Sequence, residues 1–222
     1  MKTGIVLAIL LGVTIFPGYA QIQSNPSVSL ETVEIPSDQF NVVSSNANYM
    51  RLEHKHAINW QINMENKLVY ANPLGNAVIR FYDNTNNEKF IEIGMGSQPD
   101  YKFWVAVQTP ETGYTVIYSK TQYGWTPEKQ VTAPYTQTTG LSINSGDRIV
   151  VSNLDVGDFV IKDLSVYGME SSTDPPATNS GSLLLKVVSG NPAANPLFYL
   201  PFALAASVGI LVVVLLKVKK RT

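Results

Sequence analysis

The stretch Met50–Met64, MRLEHKHAINWQINM, decides the fold class. Its even positions read Met, Leu, His, His, Ile, Trp, Ile and Met, whereas its odd positions read Arg, Glu, Lys, Ala, Asn, Gln and Asn. This period of two is typical of a β-strand in an antiparallel sheet that has one buried and one solvated face. The stretch is long for one strand, so we expect a bulge or bend near Lys55–Ala57.

Further short apolar segments follow, separated by turn-forming residues, and none of them has a convincing helical period. Together they predict an all-β protein, an antiparallel, jelly-roll-like β-sandwich. Ala77–Tyr82 and Lys89–Met95 flank a turn-rich stretch and predict a hairpin. Tyr101–Gln108 is apolar on both faces, which predicts a central strand. The segments are Lys67–Ala71, Ala77–Tyr82, Lys89–Met95, Tyr101–Gln108, Tyr114–Ser119, Leu141–Ile143, Arg148–Ser152 and Phe159–Tyr167.

The first twenty residues have the three parts of a secretory signal. Lys2 supplies the positive charge, Gly4–Phe16 is apolar and uncharged, and Gly18-Tyr19-Ala20 places small residues before a predicted cut at Gln21. The alternatives are a buried N-terminal helix and a retained membrane anchor. We therefore expect residues 1–20 to be a signal peptide and the chain that follows to be exported.

The C-terminal segment 197–216, LFYLPFALAASVGILVVVLL, is twenty uncharged residues, long enough to cross a lipid bilayer as a helix. The tail 217–222 carries four positive charges, which places it in the cytoplasm by the positive-inside rule. We expect a single-pass plasma-membrane protein with residues 21–196 on the extracytoplasmic face. The alternative is a processing signal that is removed when the protein is transferred to another anchor.

Composition divides residues 21–196 in two. We assign residues 21–170 to the β-sandwich and residues 171–196 to a linker or juxtamembrane segment. Within the latter, Ser171–Ser182 (SSTDPPATNSGS) has the composition of a mobile linker. Ser182–Val188 is either a further edge strand or a juxtamembrane segment.

Charge and cysteine content exclude several classes of protein. Residues 21–172 contain 10 Lys and Arg against 16 Asp and Glu, a net charge of −6, which argues against nucleic acid as a partner. The chain has no cysteine, so disulfides, thiolate-zinc sites and type 1 copper sites are excluded.

The closing run Gly140–Ile149 and Gly157–Tyr167, with Ser145-Gly146-Asp147-Arg148 and Asp158-Phe159-Val160-Ile161-Lys162-Asp163, resembles the last strands of jelly-roll carbohydrate-binding modules and concanavalin A-like lectin domains. The resemblance covers about a quarter of the domain and implies a module that recognises glycan or a cell-surface partner. It also implies a structural Ca²⁺ ion at the final-strand Asp163. Such a Ca²⁺ site also uses two acids that lie on one face of the first strand. Here Glu31 and Glu34 are three residues apart, so a regular strand places them on opposite faces and this part of the pattern is not met.

We find no catalytic constellation and expect no enzymatic activity. The lectin-like glycoside hydrolases carry two acids with a third between them on one strand, whereas Glu88 and Glu92 have Phe90 between them. A Ser-His-Asp hydrolase would need one of the only two histidines, and neither accompanies a nucleophile-elbow motif.

Two sets of residues are candidate metal ligands. His54 and His56 are two residues apart, so both point to the same face of a strand, a spacing at which they could bind a transition metal together. Because that face is the apolar one, the alternative is that they are core histidines. Asp155, Asp158 and Asp163 supply the oxygen ligands that Ca²⁺ prefers, or they make ordinary turns around Gly157. We expect no cofactor unless these aspartates bind Ca²⁺.

The aromatic pair Tyr123 and Trp125 lies in a polar segment between strands and is our candidate ligand-binding site. Exposed rings would stack on the apolar face of a sugar, or Trp125 folds back as a lid on the core. Trp60 and Trp104 fall within strands, so we expect both in the core.

These observations favour a membrane-anchored, non-enzymatic binding module for glycan or a surface protein. The alternatives are an accessory subunit of a cell-surface or membrane-enzyme assembly without a ligand of its own, and a metal-handling domain that uses His54 and His56.

Overall fold

The computed structural model describes residues 29–52 and 59–190, which form fourteen strands and two short 3-10 segments, Ser37–Phe40 and Ser44–Asn46. The predicted signal peptide, the predicted membrane helix with its basic tail, and His54 and His56 lie outside these residues. Within residues 29–52 and 59–190, no helix has the length and apolar character that crossing a bilayer requires.

Twelve strands form two antiparallel sheets of six. Sheet 1 has the order β1-β14-β3-β9-β10-β11. Its strands are β1 (Ser29–Pro36), β14 (Ser182–Ser189), β3 (Asn59–Asn66), β9 (Val131–Thr136), β10 (Gly140–Ser145) and β11 (Arg148–Leu154).

Sheet 2 has the order β2-β12-β5-β6-β7-β8. The two remaining strands, β4 (Val69–Tyr70) and β13 (Thr178–Ser180), pair with each other. The strands of sheet 2 are β2 (Asn48–Arg51), β12 (Ile161–Tyr167), β5 (Asn76–Asp83), β6 (Phe90–Gly96), β7 (Phe103–Thr109) and β8 (Gly113–Lys120).

The core lies between the two sheets, since alternate side chains of both point inward. Sheet 1 contributes Ile62 and Met64 of β3, and sheet 2 contributes Ile91 and Ile93 of β6, all of them buried. The predicted all-β antiparallel sandwich is confirmed. The hairpin is also confirmed, because β5 pairs with β6 from Asn76↔Gly96 to Tyr82↔Phe90.

The sequence predicted one bent strand over Met50–Met64, and this prediction is wrong. Strand β2 ends at Arg51 in sheet 2, and β3 begins at Asn59 in sheet 1. The period of two holds on both sides of the crossing because both strands turn their apolar side chains toward the same core. Alternation therefore identified strands without showing that the chain changes sheets.

The predicted boundary at residue 170 is wrong. Strand β14 lies between β1 and β3 and pairs with both along its length, so the sandwich extends to Ser189. Its residues Leu183, Leu185 and Val187 are buried in the core. The segment that composition assigned to a linker therefore leads into an interior strand rather than a juxtamembrane segment.

The outer faces of the two sheets differ in chemistry. On sheet 1, Glu65 accepts hydrogen bonds from Lys186 and Gln130, and Gln61 beside them is exposed. This is the ordinary composition of a solvated sheet face. On sheet 2 the outward positions carry aromatic rings around a buried charge, and this difference identifies the candidate site.

Candidate functional site

The site is built on the outer face of sheet 2. Because Ile91, Ile93 and Met95 of β6 enter the core, Phe90, Glu92 and Gly94 point outward, and the pairing of neighbouring strands extends these positions across the sheet. All six strands contribute one aromatic side chain each, and we call this set the aromatic face: Tyr49, Tyr82, Phe90, Trp104, Tyr114 and Tyr167.

A buried carboxylate organises this face. Glu92 is 1% exposed, and each of its oxygens accepts two hydrogen bonds. Oε1 accepts from Trp104 Nε1 at 3.0 Å and from the Tyr114 hydroxyl at 2.7 Å. Oε2 accepts from Arg80 Nε at 2.7 Å and from the Tyr167 hydroxyl at 2.9 Å. Four side chains from four strands are thus fixed around one carboxylate, as a buried charge requires.

The Arg80 guanidinium lies between two rings. Its Cζ atom is 4.9 Å from the centre of the Phe90 ring and 4.7 Å from that of Tyr167, distances at which a cation is attracted to a ring face. Besides Nε, only Nη2 donates within the described residues, to the Tyr167 hydroxyl at 3.1 Å. A guanidinium has five N–H groups, so three have no acceptor among the described residues.

The Trp104 indole lies flat on the sheet. A Cβ atom placed on Gly94 would stand 2.1 Å from indole Cε2 and Cζ2 and 2.5 Å from Cδ2, so the ring face covers this glycine. Only glycine allows that approach. The bond from Nε1 to Glu92 fixes the rotation of the ring. One face of a partly exposed indole is thereby turned away from the protein.

Glu92 is ionised at neutral pH although it is buried. Burial by itself would raise the pKa of its carboxyl group, but the hydrogen bonds from Trp104, Tyr114 and Arg80 stabilise the carboxylate more and hold the pKa below its usual range. Burial raises the pKa of Tyr114 and of Tyr167, so both hydroxyls stay protonated and donate. An ionised carboxylate without contact to solvent is suited to holding side chains in place.

We expect acid to remove the stability that Glu92 contributes. Because its folded-state pKa is lowered, this contribution is present above the unfolded-state pKa of about 4.3 and is lost as pH falls through the folded-state value. Glu92→Gln removes the ionisable group, so the melting temperature of this variant should fall less steeply below about pH 5 than that of the unsubstituted protein.

Glu111→Gln is the matched control, since Glu111 is exposed and lies outside the network around Glu92, and it should leave the acid dependence unchanged. Melting curves from pH 7 to about pH 3 check the prediction. An identical acid dependence in Glu92→Gln and the unsubstituted protein would contradict it.

The predicted loop site is only half exposed. Tyr123 is 68% exposed, but Trp125 is 4% exposed, so the expectation of two exposed rings is wrong for Trp125. Its Nε1 donates to the Gly96 carbonyl at 2.9 Å, and its ring meets that of Tyr101 edge to face at 5.5 Å. The ring belongs to the buried core cluster, so the alternative in which Trp125 folds back as a lid on the core is confirmed.

The three aspartates are not brought together. Asp155 accepts from the Gly157 backbone N–H at 2.8 Å, a turn bond, and Asp158 accepts from Gln137 Nε2 at 2.8 Å. Asp163 is on β12, beside Tyr49 and Tyr82. Among residues 29–52 and 59–190, no three His, Cys, Asp or Glu side chains are placed to hold a metal ion. Calcium binding stays a prediction, and the pair His54 and His56 lies outside the described residues.

Sequence reasoning missed the aromatic face and placed Trp104 in the core. Trp60 is buried as predicted, but Trp104 points outward. The prediction failed for Trp104 because Tyr101–Gln108 is apolar at both odd and even positions, so alternation does not show which face of this strand is buried. One signal was available. Arg80 and Glu92 are the charged residues inside the two apolar strands of the predicted hairpin, and its register sets them opposite each other.

No protein-family model matches this chain, and no curated protein matches it. Three solved structures to which it is similar are sandwich-like. A GH43 protein, BlXynB from Bacillus licheniformis, has 8% identity over 76% of this chain and a TM-score of 0.41, and the match spans 35% of that protein. Carbohydrate-binding module CBM66 from Bacillus subtilis has 10% identity over 65% of this chain and 79% of its own, with a TM-score of 0.36.

Sheep galectin-11 has 7% identity over 63% of this chain and 97% of its own, with a TM-score of 0.38. The chain is therefore similar to carbohydrate-binding and lectin-like structures, as its closing strands suggested. At these identities and TM-scores the likeness assigns the chain to no family and carries no functional argument.

Proposed function

We propose that this protein is a non-enzymatic module that binds carbohydrate on the aromatic face of sheet 2. The observation that carries the proposal is the Trp104 indole, which lies flat over Gly94 with its other face directed outward. An outward indole face is apolar surface that a partner can cover, and the C–H face of a sugar ring is flat enough to stack on it.

Polar groups beside the ring complete the recognition. Sugar hydroxyls accept hydrogen bonds, and Arg80 has N–H groups left to donate. A small number of placed polar groups among aromatic side chains is the usual composition of a small-molecule site. Since Arg80 and Glu92 neutralise each other, the centre of the face is uncharged, which favours a neutral sugar over an anionic one.

The network around Glu92 also prepares the face for binding. Trp104, Tyr114, Tyr167 and Arg80 are each held by a hydrogen bond to the same carboxylate. Side chains that are already fixed lose little conformational freedom when a ligand binds, so more of the contact energy appears as affinity.

The location inferred from the two ends of the sequence belongs to the same proposal. An exported module held by residues 197–216 would present the aromatic face outside the cell, where glycans are found. Protease added to intact cells should then remove the sandwich and leave a small membrane-bound fragment, and protection of the whole chain would contradict this orientation.

Trp104→Ala tests the proposed site. In titrations of the full chain with neutral sugars selected on a glycan array, we expect this variant to bind about thirtyfold more weakly, the effect of losing a hot spot worth about 2 kcal/mol. Gly94→Ala should weaken binding as well, since its methyl group would displace the indole.

Tyr123→Ala is the matched control, because it removes an exposed aromatic ring from the loop after β8 and not from the aromatic face. It should leave binding unchanged. Unchanged sugar binding by a folded Trp104→Ala protein would contradict the proposed site, and a loss confined to Tyr123→Ala would move the site to the loop.

A further inference from the structure

A second ring is exposed on the same face, away from Trp104. Tyr49 on the edge strand β2 is 71% exposed, and its ring stacks on that of Tyr82, with centres 5.5 Å apart and planes 28° apart. The two hydroxyls are 3.3 Å apart, and the Tyr82 hydroxyl is 3.0 Å from that of Ser165. The orientation of Tyr49 is thus set by β5 and β12.

A cavity of about 300 Å³ opens beside this ring, lined by Tyr49, Tyr82, Asn87 and Asp163. Within the described residues, the only partner of the Asp163 carboxylate is Lys162 Nζ, at 3.8 Å. The cavity therefore offers a carboxylate that accepts, an amide that donates and accepts, and an aromatic wall. These are the groups that hold a hydroxyl-bearing ring in a protein site.

Tyr49 and Trp104 lie at opposite ends of a continuous row of residues on the outer face of sheet 2. The register aligns Tyr49 with Ser165, Ser165 with Arg80, and Arg80 with Glu92, in a row that crosses four strands. Trp104 covers Gly94, two residues along β6 from Glu92. Strands β6 and β2 are three strand spacings apart, about 14 Å, and a single sugar ring does not bridge that gap.

We propose that the ligand is a neutral oligosaccharide chain that crosses the strands of sheet 2, with one sugar unit on Trp104 and another in the cavity at Tyr49. This inference rests on the proposed carbohydrate-binding function and specifies its ligand class. Arg80 lies between the two ends and donates to the intervening units. The face therefore recognises a chain rather than a single sugar.

The test is the dependence of affinity on chain length. The full chain is titrated with neutral oligosaccharide ladders of glucose, galactose, mannose and xylose, from one to about eight units. For the ladder that binds, we expect affinity to rise with length until the ligand reaches both rings and then to level off. Tyr49→Ala should lower affinity for the long members about tenfold and leave that for the single sugar unchanged.

Two further variants separate recognition from structure. Tyr49→Phe keeps the ring and should keep most of the length dependence, and Tyr123→Ala should change nothing. Equal affinity for short and long members, or an equal loss for both in Tyr49→Ala, would overturn the inference and leave the Trp104 site standing. Failure of every ladder to bind, at any length, would overturn the proposed function and the inference together.

Discussion

A chain that ends at Ser172 is expected not to fold, whereas a chain that ends at Gly190 should unfold cooperatively. The shorter chain lacks β14, which pairs with β1 on one side and β3 on the other. It loses the burial of Leu183, Leu185 and Val187, together worth roughly 5–9 kcal/mol. That loss is comparable with the whole stability of a domain, about 5–15 kcal/mol.

The loss of stability is larger than the burial of three side chains suggests. Among the strands of sheet 1, β1 pairs only with β14, so removing β14 also leaves β1 without a partner in that sheet. Thermal melts followed by circular dichroism and the dispersion of amide NMR signals distinguish the two chains. A cooperative transition in the chain that ends at Ser172 would contradict the role given to β14.

Two point variants test the same strand without truncation. Leu185→Ser places a hydroxyl group in the core and should be strongly destabilising, whereas Leu184→Ser, on the outer side of β14, should cost much less. Equal losses would mean that the register of β14 is wrong.

Trp125→Ala is expected to destabilise the protein by about 3–5 kcal/mol, the usual cost of removing a buried tryptophan. The indole packs on Tyr101 and Tyr70, and its N–H satisfies the Gly96 carbonyl at the end of β6. Both the cavity and the unsatisfied carbonyl contribute to the loss.

Denaturant unfolding measures this prediction, with two controls. Tyr123→Ala, two residues away and exposed, should change stability by no more than about 0.5 kcal/mol. Trp125→Phe keeps most of the volume and should lose less than Trp125→Ala. If Trp125→Ala were as stable as Tyr123→Ala, the ring would be a surface group, and the loop would again be a candidate binding site.

Trp104 and Trp125 together show where local pattern stops being informative. The sequence placed Trp104 in the core and left Trp125 as either an exposed ring or a lid on the core, whereas the structure turns Trp104 outward and buries Trp125. Trp125 sits in a polar segment, yet its neighbours in space come from Gly96 and Tyr101, more than twenty residues earlier in the chain. Burial at these two positions depends on which strands pack against them, and that information is not local.

The candidate site was predictable only in part. The charges of Arg80 and Glu92 in two apolar strands of a predicted hairpin could have been paired from the sequence. Tyr114 and Tyr167 could not have been added, because they come from β8 and β12, and their meeting at Glu92 depends on the strand order.

By itself the sequence determined the class of fold and most strands of sheet 2, because the period of two and the turn residues act within a few positions of the chain. It also determined the absence of cysteine and the acidic charge that disfavours nucleic acid. It did not indicate β1 or β9 of sheet 1. Only the tertiary structure decided that β14 lies inside sheet 1 and that the outer face of sheet 2 carries the rings. Both depend on pairing between distant segments, Ser29–Pro36 with Ser182–Ser189 and Asn76–Asp83 with Ile161–Tyr167, and such pairing is fixed by the packing of the whole sandwich.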